Sequence, residues 1–308
     1  MSVDCFNKEK IGGFLHLIRP FTLLAPVIVS SCIMFASFFY NNIGGDIVLT
    51  LFYVVLPASI SLALINGASN ALNQVADVES DRISKPYRPL VKGVISKKSA
   101  LMVSAVMYSS AVFISFFIDF LFAFFVGMII FFTITYSVPP RCKSRLFLNQ
   151  IWIAVPRGLF GVLASWSIFG NPFNHIPLTI GLVAMFFLFG GSITKDIHDC
   201  DADKKTGVDT LINTYGVKES AFIVMPFMFT PFVMLLLLVK TGAVESYLWP
   251  LTLFVVPSIF ICYLMIKRDV KKVGSLENNC SWAAMYITYF FFAFSFSFLT
   301  IFNSTVFI

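Results

Sequence analysis

Two acidic clusters interrupt an otherwise apolar chain, and they share a spacing. The first runs from Asn73 through Asp77 to Asp81 and is followed by Arg82, Lys85, Arg88 and Lys92. The second holds Asp196, Asp199, Asp201 and Asp203 and is followed by Lys204 and Lys205. Each contains Asp-x-x-x-Asp. Residues i and i+4 share one face of a helix, so each pair of carboxylates points the same way. Like charges held that close repel unless a cation sits between them. Oxygen-only donors with basic residues alongside suit Mg²⁺ holding a phosphate group, whereas zinc or a redox metal would favour His and Cys. The three His show no ligand spacing, and the six Cys show neither a CxxC pair nor a disulfide-like grouping. Of the 16 Asp and Glu, eight lie in or beside the two clusters, so acidity is concentrated where this chemistry would occur. Two solvated charged loops are the plain alternative, and the repeated spacing argues against it.

The elements that must position these clusters are membrane spans. The chain is 58% hydrophobic and 12% charged, about half the charge of a soluble domain. Its apolar runs reach the roughly 20 residues needed to cross a bilayer. Nine spans are predicted: Phe21–Tyr40, Ile47–Ser69, Ala100–Ile118, Phe120–Ser137, Phe147–Phe169, Pro177–Thr194, Ala221–Val239, Tyr247–Ile266 and Ala283–Phe307. Asp119 splits the third from the fourth. Lys8 and Lys10 precede an apolar run without a small-residue cleavage pattern, so a retained first helix is expected and not a signal peptide. The fold class is therefore an all-α, polytopic integral membrane bundle of nine transmembrane helices around a central cavity. It forms one domain over residues 1–308 in the lipid bilayer, with no obligate protein partner evident.

With the N-terminus inside, 20 of the 22 Lys and Arg fall in inner segments; Lys240 falls outside and Arg157 within a span. This positive-inside bias predicts a cytoplasmic N-terminus, a C-terminus on the opposite side, and both acidic clusters opening to the cytoplasm. It also accounts for the net charge of +6 without a nucleic-acid partner.

Asn66, Asn70, Asn73, Asp77 and Asp81 form a polar stripe on span two, at helical steps. Interhelical hydrogen bonding suits Asn66 and Asn70, while Asn73, next to the Asp pair, suits a metal or phosphate role. Arg82, Lys85, Arg88 and Lys195 are suited to a diphosphate, with topology anchoring as the alternative. Tyr136 ends span four before Pro139 and Pro140, which stop the helix. Arg157 lies between Pro156 and Gly158 in the middle of span five. A cation at that depth is costly, and either has a function or satisfies carbonyls freed by the proline. A functional Arg157 would suit the carboxylate or phosphate of a second substrate.

These motifs resemble the UbiA family of intramembrane prenyltransferases. The resemblance rests on Asn73-x-x-x-Asp77-x-x-x-Asp81, the following Lys85-Pro86-Tyr87-Arg88-Pro89, Asp199-x-x-x-Asp203 with Gly207 beyond it, and Tyr136-Ser137-x-Pro139-Pro140. It implies a polyprenyl diphosphate donor and a lipophilic acceptor. It also implies Mg²⁺, two ions, held by Asp77, Asp81, Asp199 and Asp203. Those four and Tyr136 are then the catalytic set, with Tyr136 stabilising an allylic cation. Asn73, Arg82, Lys85, Arg88 and Lys195 would hold the diphosphate, and Arg157 the acceptor. Gln74, where many members have Asp, favours an aromatic, homogentisate-type quinone precursor as acceptor. Alternatives are (di)geranylgeranylglyceryl phosphate synthesis and a terpene cyclase of the same fold. A transporter is the non-enzyme alternative; it would place acids mid-membrane, and here they end helices on one side.

Overall fold

The computed structural model describes residues 3–267 and 279–306. Arg268, Lys271, Lys272 and the predicted end at Phe307 lie outside them. Helix α1 (Val3–Ile18) precedes the first crossing, α2 (Pro20–Tyr40). Then come α3 (Ile47–Ala76), the short α4 (Val78–Ser84), α5 (Lys97–Ile118) and α6 (Phe120–Ser137). An interrupted helical segment, α7, covers 148–167; α8 is His175–Ile197, α9 is Cys200–Thr206 and α10 is Leu211–Tyr215. The bundle closes with α11 (Val217–Lys240), α12 (Ser246–Ile266) and α13 (Cys280–Val306). Among the described residues, eight helices are individually long and apolar enough to cross a membrane.

The predicted fifth span is not one regular helix. It consists of α turns Leu148–Ala154, a π segment Val155–Phe160 and α turns Gly161–Ser167, following without a gap. Pro156 has no N–H to give the preceding turn. Gly158 lets the segment press on α8, where a Cβ would come within 2.5 Å of the Met185 backbone. The second span is longer than predicted. It runs on to Ala76 and carries Asn66, Asn70 and Asn73 of the polar stripe on one helix.

The polar stripe is explained by the break between α1 and α2. Pro20 follows Arg19, which adopts a left-handed conformation at φ 56°. The break leaves carbonyls without helical partners. Asn70 donates to the Ile18 carbonyl at 2.9 Å and Gln74 to that of Leu17 at 2.9 Å. Asn66 donates at 3.0 Å to the Thr22 carbonyl, which lies inside α2 and lacks its i+4 donor because Pro26 stands there. Side-chain amides on α3 thereby replace the missing backbone donors, in an environment where unpaired carbonyls are costly.

The phenylalanines divide by face. Phe122, Phe187, Phe232 and Phe296 are fully buried between helices, while Phe113, Phe117, Phe120, Phe298 and Phe302 point outward, as suits side chains meeting lipid. Asp119 separates α5 from α6 by capping the latter, accepting from the Phe122 N–H at 2.9 Å.

Candidate active site

Each acidic pair sits where a long helix gives way to a short one. Asp77 closes α3, its N–H donating to the Asn73 carbonyl at 2.9 Å, and the Asp81 N–H donates to the Asp77 carbonyl at 2.8 Å. Asp199 caps α9, and the Asp203 N–H donates to the Asp199 carbonyl at 2.8 Å. Helical i, i+4 geometry thus holds across both junctions. Gly207, at φ 69°, ends α9 in the left-handed conformation that glycine tolerates. The two short helices, α4 and α9, pack against each other, which brings the pairs to one cavity.

That cavity, about 140 Å³, is lined by Asn73, Asp77, Asp81, Lys85, Arg88, Tyr136, Lys195, Asp199 and Asp203. Arg82 does not join them. Its side chain is 62% exposed and pairs with Glu79 at 3.0 Å, because one helical step beyond Asp81 turns it away from α9. Among the lining residues that sequence reasoning did not assign to the site are Arg19, Lys143, Asn149 and Asp196. Arg19-Pro20 and the Lys143 that follows the double proline were visible only as topology charges.

Ion pairs connect the cavity wall. Lys85, which follows the first pair in sequence, reaches Asp199 of the second at 2.5 and 2.6 Å. Arg88 donates to Asp81 at 2.5 Å. Asp77 has two partners: Arg141 on one carboxylate oxygen at 3.1 Å and Lys143 on the other. Lys195 pairs with Asp196, which also accepts from Asn149 at 3.0 Å. Asp203 has no side-chain partner among the described residues. Its burial, and then the neighbouring Asp196 and Asp199, push its carboxyl up to about 7. Burial also raises Asp81, although Arg88 opposes it. At Asp199 burial acts upward too, but Lys85 and further basic groups outweigh it and hold the carboxyl below its usual range. Burial lowers the Lys143 ammonium against the pull of Asp77.

A second cavity, about 240 Å³, extends into the bundle between α2, α3, α6, α7 and α13. Its wall is mostly apolar, with Leu62, Ile65, Ile129, Ile153 and Leu188 among the lining residues. No phenylalanine is among the described lining residues. Arg19, Asn73, Tyr136 and Lys195 line both cavities and form the threshold between them. The Tyr136 hydroxyl donates to Asn149 at 3.0 Å, which fixes its ring at that threshold.

Arg157 opens into the second cavity. It donates to the Tyr286 hydroxyl at 3.0 Å and to the Asn66 side-chain oxygen at 3.1 Å. Both of these hydrogen bonds go to side chains and not to a carbonyl freed by Pro156; the Arg157 carbonyl itself accepts from the Tyr289 hydroxyl at 3.0 Å. Among the described residues it has no acidic partner.

Residues 23–276 match the model of the UbiA prenyltransferase family. The chain belongs to that family. A digeranylgeranylglyceryl phosphate synthase from Methanococcus aeolicus is 32% identical over 71% of this chain and 74% of its own length. The chloroplastic homogentisate phytyltransferase 1 of Arabidopsis thaliana is 23% identical over 93% of this chain and 74% of its own. The fold agrees with the structure of a UbiA homolog from Archaeoglobus fulgidus bound to GPP and Mg²⁺. Its TM-score is 0.73 at 18% identity, covering 94% of this chain and 99% of that one. This UbiA-family chain is thus a multi-pass membrane prenyltransferase.

Proposed function

We propose that this prenyltransferase moves a polyprenyl group from its diphosphate to the hydroxyl of a lipid glyceryl phosphate. The observation that carries this reading is Arg157. It is a cation without an acidic partner among the described residues, on the wall of an apolar cavity that joins the carboxylate-lined one. The likeness to the Methanococcus synthase supports the same acceptor class.

The polar cavity suits the diphosphate. Asp77, Asp81, Asp199 and Asp203 would hold Mg²⁺, and the residues fit it: the donors are oxygens, and the raised Asp203 carboxyl marks surplus negative charge. Among the described residues no three acidic, His or Cys groups are gathered tightly enough to hold an ion alone. That suits Mg²⁺, which binds one or two carboxylates and completes its shell with substrate phosphate oxygens and water. Bound there, a divalent cation supplies positive charge to the departing diphosphate. Lys85, Arg88 and Lys195 line the same cavity and offer further donors to phosphate oxygens, as does Asn73 through its amide. Tyr136, at the threshold, presents an aromatic face where the allylic carbon would become cationic. The apolar wall beyond it excludes the water that would quench that cation. Once the bond to diphosphate has broken, the acceptor hydroxyl attacks the allylic cation to form the new C–O bond, and its proton passes to an anionic oxygen of the polar cavity.

Arg157 would hold the acceptor phosphate. Its partner Asn66 precedes Asp77 by eleven residues on one helix, roughly 16 Å at 1.5 Å per residue. Two anions held that far apart, each with its own cations, repel little. A homogentisate-type aromatic acceptor is the second reading, supported by the Arabidopsis relative. The Gln74 cue for it loses force, because Gln74 is buried and clamps the α1–α2 break away from both cavities.

The test is product mass spectrometry on purified protein with Mg²⁺ and geranylgeranyl diphosphate, offered geranylgeranylglyceryl phosphate, homogentisate or 4-hydroxybenzoate. Prenylation of the glyceryl phosphate alone is expected; turnover confined to an aromatic acid would overturn the reading. We also propose that the polar cavity faces the cytoplasm, on the basic-residue bias. Lys92→Cys in an otherwise cysteine-free chain should then label from inside only, and labelling on intact cells would reverse the orientation.

A further inference from the structure

Lys143 is the least expected residue at the site. It lies in a short 3₁₀ turn, Cys142–Ser144, after the double proline, and its side chain is nearly buried. It ion-pairs with Asp77, donates to the Asn73 side-chain oxygen at 2.8 Å, and lies 5.9 Å from the centre of the Tyr136 ring. Three residues of the first motif and the threshold therefore converge on one ammonium. The turn itself is fixed between the motifs. Arg141 reaches Asp77, and the Ser144 carbonyl accepts from the Asp209 N–H, just past the second motif, at 3.2 Å.

The consequence concerns the Asp77 oxygens. One is taken by Lys143 and the other by Arg141. Each oxygen keeps a second lone pair, but a metal ion that binds Asp77 is placed next to both cations and must overcome their repulsion or displace one of them. Arg141 is 36% exposed, so water screens its charge, whereas Lys143 at 8% is not screened. Lys143 is thus the stronger competitor. It also lines the polar cavity, within reach of any phosphate there.

We propose that Lys143 is the resident counter-cation of Asp77, which it neutralises in the empty site and leaves for the diphosphate when donor and metal enter together. The inference rests on the metal–diphosphate reading of the polar cavity and is independent of the acceptor. It makes metal binding conditional on the diphosphate. Metal alone must compete with Lys143, while metal arriving with diphosphate gives the ammonium a new anionic partner. The empty site then avoids both a cluster of bare carboxylates and a tightly held metal.

The experiment measures Mn²⁺ binding to the purified full-length protein by electron paramagnetic resonance, with and without inorganic pyrophosphate. Wild-type protein is expected to bind Mn²⁺ weakly alone and more tightly with pyrophosphate. Lys143→Met should bind Mn²⁺ alone more tightly, on the order of tenfold, the size of effect one adjacent charge has on a carboxylate. Its gain from pyrophosphate should shrink, and the KM for the prenyl diphosphate should rise. Lys143→Arg should restore the wild-type pattern, and Lys143→Gln serves as the charge-deleting variant if the methionine does not fold. A packing defect would weaken both kinds of binding, so unchanged or weaker Mn²⁺ affinity in the charge-deleting variants overturns the proposal. Wild-type protein that binds no Mn²⁺ even with pyrophosphate overturns the metal–diphosphate reading itself.

Discussion

The two acidic motifs share a spacing but differ in how their charge is met. At the first, Asp77 has two basic partners and Asp81 has one, all from the chain that follows. At the second, Asp199 is paired with Lys85 from the first motif's loop, and Asp203 with no side chain among the described residues. Burial and two carboxylate neighbours raise Asp203 to about 7 as a result. Identical local geometry therefore gives unequal sites. The first motif is nearly neutralised by protein, and the second retains charge for an incoming cation. Lys85 joins them, so the diphosphate site is an assembly of two half-sites that neither motif forms alone.

The largest expected effect tests whether both halves are needed. Asp77→Ala or Asp199→Ala should each lower turnover by on the order of 10²–10³, the usual cost of a lost charge-stabilising group, while size-exclusion behaviour in detergent stays unchanged. Full activity in either variant would show that one half suffices.

A smaller effect separates the diphosphate site from the acceptor site. Arg157→Met keeps the apolar bulk and removes the charge. Steady-state kinetics should show the acceptor KM rising by about tenfold, the loss of one charged hydrogen-bonding group, with the prenyl diphosphate KM little changed. Equal weakening for both substrates would place Arg157 within the diphosphate site and merge the two regions.

The contrast between the motifs also predicts a pH dependence. A carboxyl raised to about 7 takes up a proton as pH falls through that value. A metal ion needs the ionised form, so apparent Mg²⁺ affinity should fall below about pH 7, by up to tenfold per unit. Asp203→Asn should bind Mg²⁺ weakly but with a flatter pH profile over that range. A wild-type profile that is flat from pH 8 to 6 would mean that the metal-free Asp203 carboxyl is already ionised over that range, or that Asp203 does not bind the metal.

The smallest expected effect concerns Arg82. Its exposed pair with Glu79 lies outside the cavity, and such pairs contribute little. Arg82→Ala should change kcat/KM by less than about twofold. A larger loss would bring Arg82 into the substrate-bound site and weaken the claim that Lys85 and Arg88 suffice on that loop.

The sequence by itself determined the spans, the paired carboxylates and the family. These are local properties: i, i+4 spacing is read within five residues, and an apolar run is read within twenty. It also showed that Asn66 and Asn70 need partners, because amides in a bilayer must be paired. It did not reveal that those partners are the Thr22 carbonyl, left without a donor by Pro26, and the Ile18 carbonyl at the Pro20 break, which lie over forty residues away. The positive-inside count was legible too, but its meaning was mixed. Arg19, Lys85, Arg88, Lys143 and Lys195 were tallied as topology and line the polar cavity. Only the tertiary structure decided which basic residue meets which carboxylate. Lys85 crosses to Asp199 and Lys143 returns to Asp77 over intervals of 114 and 66 positions. Arg82 has the same charge and sits beside Asp81, but it points away. Sequence specifies the charges, whereas their pairing depends on which helix ends the packed bundle brings together, and that is set by contacts along the helices far from the charges themselves.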